Sequence, residues 1–192
     1  MNAVLLALVL VPLVIPALAQ GPAAPVHVVL ETEFGEIELA LDAARAPVSV
    51  ANFLKYVDAG LYDGGMFHRT VRPDNQKSHA VPISVVQAQS KDPEGRLPPI
   101  PLERTRDTGL KHVDGAVSMA RVGPDTATDH FFICIGDQPS LDFGGTRNPD
   151  AQGFAVFGRV VRGMDVARKI QAANAKGEAL TPPIGIVRAR RR

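Results

Sequence analysis

Apolar residues in this chain come in short runs closed off by glycine, proline or aspartate, and most of the runs read with a period of two. The first is "VHVVLETEFGEIELALD". Val28 and Leu30 alternate up to a turn near Phe34 and Gly35, then Ile37, Leu39 and Leu41 alternate with Glu36, Glu38 and Ala40, which predicts a β-hairpin. Further strand candidates are "GGMFHRTVR", "ISVVQAQ", "GAVSMARVG", "HFFICIG", "GFAVFGRVV" and a last short "IGIVRARRR" whose arginines (188, 190, 191, 192) are expected to form a solvated basic end. Only two stretches have a helical period. In "APVSVANFLKYVDAG", Val50, Phe53, Leu54 and Val57 fall at i, i+3, i+4 and i+7, with Ser49 as the expected N-cap and Gly60 as the stop. In "GMDVARKIQAANAKG", Asp165 stands near the positive end, and Val166 and Ile170 are four apart. There is no β-α-β alternation and no Gly-rich phosphate loop. The pattern suits a closed or nearly closed antiparallel barrel capped by two helices.

A chain of 192 residues is enough for one domain with a real core. Its formal net charge of +1 gives no global field to recruit nucleic acid or an anionic membrane. Cys134 is the single cysteine, so no intramolecular disulfide forms, and its place in "HFFICIG" marks it as a core thiol. The five histidines lack metal-ligand spacing, and Asp125, Asp129 and His130 make a poor ligand set, so no metal or cofactor is expected.

The first segment, "MNAVLLALVLVPLVIPALAQ", has an apolar run from Ala3 to Ile15 that is too short to span a bilayer, then Ala17-Leu18-Ala19 as a small-x-small site. Residues 1–19 are read as a signal peptide cleaved after Ala19, although no Lys or Arg precedes the run; 20–25 are a linker and 26–192 the folded domain. Export, most simply to a periplasm, is expected, with an uncleaved membrane anchor as the alternative.

One residue resists a purely structural reading. A strict period of two puts Phe67, Arg69 and Val71 on one face of "GGMFHRTVR", with Met66, His68 and Thr70 on the other. An arginine between large apolar neighbours costs several kcal/mol unless it is paired, for instance with Asp63 or Asp74, or opens onto a groove.

The blocks "ANFLKYVDAGLYDGGMFHR", "VVQ", "GAVSMARVGPDTATDHFFI", "LDF" and "FAVFGRVVRGMDVARKI" resemble, in order and spacing, those of cyclophilin-type peptidyl-prolyl isomerases, over about Val26 to Arg188. The resemblance implies a closed eight-stranded antiparallel β-barrel capped by two α-helices, with a substrate groove on its outer face. It also implies cis–trans interconversion of X-Pro bonds, with Arg69 donating to the twisted prolyl peptide and Gln87 orienting it. Substrate contacts are implied at His68, Val85, Ala120, Arg121, His130, Phe132, Leu141 and Phe154, of which Phe132, Val85 and Leu141 form the proline cup.

The sequence departs from the family pattern in several places. Ala88-Gln89 replaces Gly-Gly, which puts Gln87's position in question if Ala88 must take a positive φ. His130 replaces a glutamine, so the groove is expected to change charge near pH ~6.5. Arg121 replaces the common asparagine, Phe154 a histidine, and Ser84 a phenylalanine. Ser140 stands where animal members carry a tryptophan, so weak cyclosporin binding is expected. The segments Arg72–Pro82 and Asp142–Gly153 read as surface insertions with a possible role against substrate. The expected partners are proline-containing peptides and unfolded exported proteins, met by a monomer that is not inserted in a membrane after cleavage. The alternative is a catalytically weak binding module or chaperone on the same fold.

Overall fold

The computed structural model describes residues 24–76, 80–92 and 94–192. The expected signal peptide and its cleavage site lie outside the described residues, as do residues 77–79 of the Arg72–Pro82 connection.

Nine strands form one antiparallel sheet: β1 (Val26–Thr32), β2 (Gly35–Leu41), β3 (Met66–Val71), β4 (Val85–Gln89), β5 (Ala116–Met119), β6 (Phe131–Cys134), β7 (Ala155–Arg162), β8 (Ala175–Lys176) and β9 (Ala179–Arg191). The order β1-β2-β7-β5-β6-β4-β3-β9 closes on itself because β9 also pairs with β1, giving an eight-stranded barrel with no free edge. The two-residue β8 is an extra arm on β9.

Two helices fill the barrel. Along α1 (Pro47–Asp58), Val50, Phe53, Leu54 and Val57 all join the interior cluster, as their spacing predicts. From α3 (Met164–Gln171), Ala167 and Ile170 do the same. A third helix, α2 (Thr105–Thr108), is a single turn in the Pro-rich connection and had no periodic signal to announce it.

Three local expectations are corrected. Ser49 is not the N-cap: Ala46 is, Pro47 opens the helix, and the Glu103 carboxylate accepts the free N–H groups of Val48 (3.0 Å) and Ser49 (2.8 Å). Gly60 does end the helix, at φ +65°, with its N–H on the Val57 carbonyl. The last strand is thirteen residues long rather than short. It tolerates Pro182 and Pro183 because its pairing with β3 jumps from Ile184 opposite Phe67 to Ala179 opposite Arg69.

The basic end is no loose tail either. It is the barrel seam, where Arg190 pairs with Glu31 (2.9 Å), Arg191 with Asp58, and Arg192 with Glu38 (2.8 Å).

Within the wall β5-β6-β4-β3, β6 is buried on both faces. Along β6, Phe131 and Ile133 point into the barrel, while Phe132 and Cys134 join a second cluster outside it with Val85, Val71, Ile83 and Leu141. This explains why "FFIC" is apolar throughout instead of alternating. Burial also pushes the Cys134 thiol up, as an inert core residue requires.

Candidate active site

Strand β3 does not keep strict alternation. Its pairing to β4 runs Phe67–Ala88 and then Arg69–Gln87, so His68 is an extra, bulged residue. The bulge reverses the side-chain parity. Phe67 enters the barrel, whereas Arg69 and Val71 emerge outside, over the second cluster. The apparent charge among core residues is thus a misreading of register, and Arg69 stands at the edge of a groove of about 810 Å³.

Neither Asp63 nor Asp74 pairs with Arg69. Its carboxylate is Glu178, in the turn between β8 and β9, which lies 2.8 Å from Nε and 2.6 Å from NH2. Asp63 instead accepts the Ala189 N–H, and Asp74 pairs with Arg72. On the other side, Arg69 NH1 donates to Gln87 Oε1 at 2.8 Å. A guanidinium has five N–H donors in a rigid fork, so at least two here have no partner among the described residues.

The substitution of Ala88 for glycine does not displace Gln87. Ala88 is fully buried in β4 opposite Phe67 and Phe131, and it is not among the residues with positive φ. Gln87 takes the outward position in an unbroken alternation, flanked by inward Val86 and Ala88.

Gln87 Nε2 in turn donates to His130 Nδ1 at 3.2 Å, and the Arg96 guanidinium lies 2.9 Å from His130 Nε2. Both ring nitrogens therefore face donors, and a neutral imidazole can accept at only one of them. Behind them, Asp129 is fully buried and holds Arg96 Nε (2.8 Å), the Ser90 hydroxyl (2.7 Å) and the Ser90 N–H (3.1 Å). Burial pushes Asp129 up, but these hydrogen bonds and nearby His130 outweigh it and leave the carboxyl below its ordinary value. Burial and then Arg96 hold His130 below the ordinary 6.5 against the opposing pull of Asp129, so its charge change lies lower than the sequence implied.

His68 lies off the groove wall. Its ring meets His130 edge-on at 5.2 Å, its Nδ1 has no partner among the described residues, and burial, His130 and Arg69 lower its pKa to about 4. It backs His130 rather than lining the groove.

The remaining expected residues come together. Phe132, Val85 and Leu141 form an apolar floor, nearly or fully buried, with Ala120, Arg121 and Phe154 around it. The Phe132 ring packs edge-on against Phe154 (5.5 Å) and stacks on His112 (5.9 Å). His112 is fixed beneath the floor by Asp142 (2.8 Å) and Ser118 (3.0 Å). Arg121 stacks over Phe154 and forms a fork with Asp150, so its charge is already matched. The segment 142–153 is more than a surface insertion. It folds back through Gly144 N–H to Ala151 O and Phe154 N–H to Leu141 O, and brings Arg147, Asn148 and Pro149 to the groove wall. Gly153, at φ +67°, closes it where a Cβ would meet the Asp142 backbone at 2.5 Å.

Glu178, Arg96, Asp129, His112 and Arg147 are site residues that sequence reasoning missed. Asp129 adjoins His130, but Glu178 is 109 positions from Arg69, Arg96 34 from His130 and Arg147 71 from Gln76.

A closed barrel with an apolar cup and an arginine held at its rim defines a protein of the cyclophilin fold. The family described as cyclophilin type peptidyl-prolyl cis-trans isomerase/CLD matches residues 27–191, and the chain belongs to it. It is 43% identical over 147 residues to peptidyl-prolyl cis-trans isomerase A of Dickeya dadantii (75% of this chain, 70% of the relative), and 32% identical over 145 residues to isomerase B of Escherichia coli K12 (75% and 81%). A cyclophilin-type isomerase structure from Cryptosporidium parvum superposes with a TM-score of 0.69 at 21% identity, over 88% of this chain and 98% of that one.

Proposed function

We propose that this chain catalyses cis–trans interconversion of X-Pro bonds in exported polypeptides, with Arg69 as the catalytic group. The observation that carries the reading is the Arg69 guanidinium, fixed by Gln87 and Glu178 beside the Phe132-Val85-Leu141 floor with N–H donors to spare.

The barrier to be lowered is about 18–20 kcal/mol and comes from amide resonance. In the twisted state the prolyl nitrogen regains a lone pair, and a pre-oriented N–H from Arg69 can donate to it. That bond is absent in either planar isomer, so it acts on the transition state more than on ground-state binding. Glu178 and Gln87 hold the fork so that little reorganisation accompanies the twist. The apolar floor takes the pyrrolidine ring, and Ala120 and Arg121 flank the residues before proline. No proton transfer or covalent intermediate is needed.

Ala88 sits in the ladder without a positive φ, which takes away one of the two departures, Ala88-Gln89 and His130, that favour a catalytically weak binding module. Ser140, a small side chain where animal members carry a tryptophan, supports weak cyclosporin affinity. Export rests on the apolar run and Ala17-Leu18-Ala19, and N-terminal sequencing of the secreted or periplasmic protein checks cleavage after Ala19. The test of the activity is a prolyl-isomerisation assay on residues 20–192 with a panel of X-Pro peptides. Acceleration of several members is expected, and no acceleration of any member overturns the proposal.

A further inference from the structure

Among the described residues, four arginines line the groove and no aspartate or glutamate does. Three of the four have their own carboxylate: Arg69 has Glu178, Arg96 has Asp129 and Arg121 has Asp150. Arg147 is the exception. Its NH1 donates to two neutral oxygens, the Val81 carbonyl at 2.6 Å and Gln76 Oε1 at 3.0 Å, while its Nε and NH2 have no partner among the described residues. Residues 1–23, 77–79 and 93, outside the description, contain no Asp or Glu, so no carboxylate of this chain neutralises it there.

The placement is built rather than incidental. Gln76 is buried and bonds Ile83 through both its amide atoms, which holds the Oε1 that accepts from NH1 in place. The Arg147 N–H is tied to the Ser140 carbonyl, next to Leu141 of the floor. Burial and then Arg69 act against the Arg147 charge, with Glu178 partly relieving it. A half-buried cation without a counter-ion is a liability in the empty protein, and it becomes an asset when a ligand supplies the anion.

Building on the isomerase reading, we propose that Arg147 is a specificity residue that receives a carboxylate near the prolyl bond, so that the groove prefers acidic proline-containing segments. The carboxylate comes from an Asp or Glu side chain or from a chain terminus. Arg147 acts on binding, so its effect falls on KM rather than kcat.

The test compares Asp with Asn at each of the two positions before and after proline, in C-terminally amidated peptides. A second arm compares a free C-terminal carboxylate with its amide. The expected result is a preference of about five-fold in kcat/KM for Asp at one or more positions, carried by KM and reduced at high salt, about 1 kcal/mol. Preference in the second arm alone assigns the site to chain termini. Arg147→Gln is expected to erase the preference, bringing the Asp and Asn peptides to equal kcat/KM. Equal rates for Asp and Asn at every position together with equal rates in the second arm, or a preference that survives Arg147→Gln, overturn the inference.

If that variant does not fold, the Arg147 Nε–H resonance in the wild-type protein decides. It is expected to shift with the Asp peptide and not with the Asn peptide, and its failure to move with either carboxylate source overturns the inference. That titration needs no turnover, so it stands apart from the isomerase reading, which fails if no peptide of any kind is isomerised.

Discussion

Two arginine–carboxylate clusters sit on the outside of this barrel, built in opposite ways. At the seam, one carboxylate collects several cations: Glu38 accepts from Arg192 (2.8 and 3.0 Å) and Arg162 (3.2 Å), and His27 Nδ1 lies 2.9 Å away. Glu38 is 4% exposed, and these partners, His27 first and then Arg192, bring its pKa down to about 2. At the groove, one guanidinium is shared between a single carboxylate and a single amide, and it keeps donors in reserve. The seam cluster is saturated and ties β9 to β1 and β2; the groove cluster is incomplete and faces an apolar floor. The same residue types thus make a staple in one place and a site in the other, and the number of unmatched donors tells them apart.

The comparison can be attacked first through the floor. Phe132→Ala removes a ring that belongs both to the outer cluster and to the cup, so it should lose about 3 kcal/mol of stability and most of the activity together. Urea unfolding beside a kinetic assay measures both, and an active, equally stable variant breaks the account of the floor.

The seam is tested by acid. Glu38 has a lowered native pKa, so its stabilisation is fully present above its unfolded value of about 4.5 and fades as the pH falls toward about 2. Glu38→Gln should flatten that part of the pH–stability curve while neutral-pH activity stays within about two-fold. A large loss of activity would erase the distinction between the clusters.

The groove has its own, smaller pH dependence. His130 is held neutral by a lowered pKa, and protonation turns both ring nitrogens into donors facing Gln87 and Arg96. Activity is expected to fall as the pH drops below 6.5, with His130→Gln removing most of that acid limb. An acid limb that survives unchanged in His130→Gln separates His130 from Gln87.

Stability carries the same sign through His68. Its native pKa of about 4 means that stabilisation present above pH 6.5 is lost as the pH falls toward 4. His68→Asn should lessen that slope.

Most of the barrel was legible because period-two runs and apolar pairs such as Phe131-Phe132 report burial directly. The resemblance brought in Arg69, Gln87 and the cup because those residues lie in contiguous motifs. Illegible were the features set by distant pairing. The bulge at His68 depends on how β3 meets β4 and β9, and alternation alone put Arg69 on the wrong face. Glu178 reaches Arg69 only because β9 closes the barrel, and Arg147 reaches the groove only because 142–153 folds back on Leu141. The arginine-rich end looked like a tail because its partners, Glu31, Glu38 and Asp58, lie at the other end of the chain.

The central claim is that Arg69, unlike the seam arginines, is spent on the transition state. The most direct measurement is kcat/KM for an X-Pro peptide with wild type and Arg69→Ala, at matched thermal stability. The account predicts a loss of at least about 10-fold, or about 1.4 kcal/mol of transition-state stabilisation, appearing in kcat. An Arg69→Ala protein that isomerises the peptide within two-fold of wild type would contradict it.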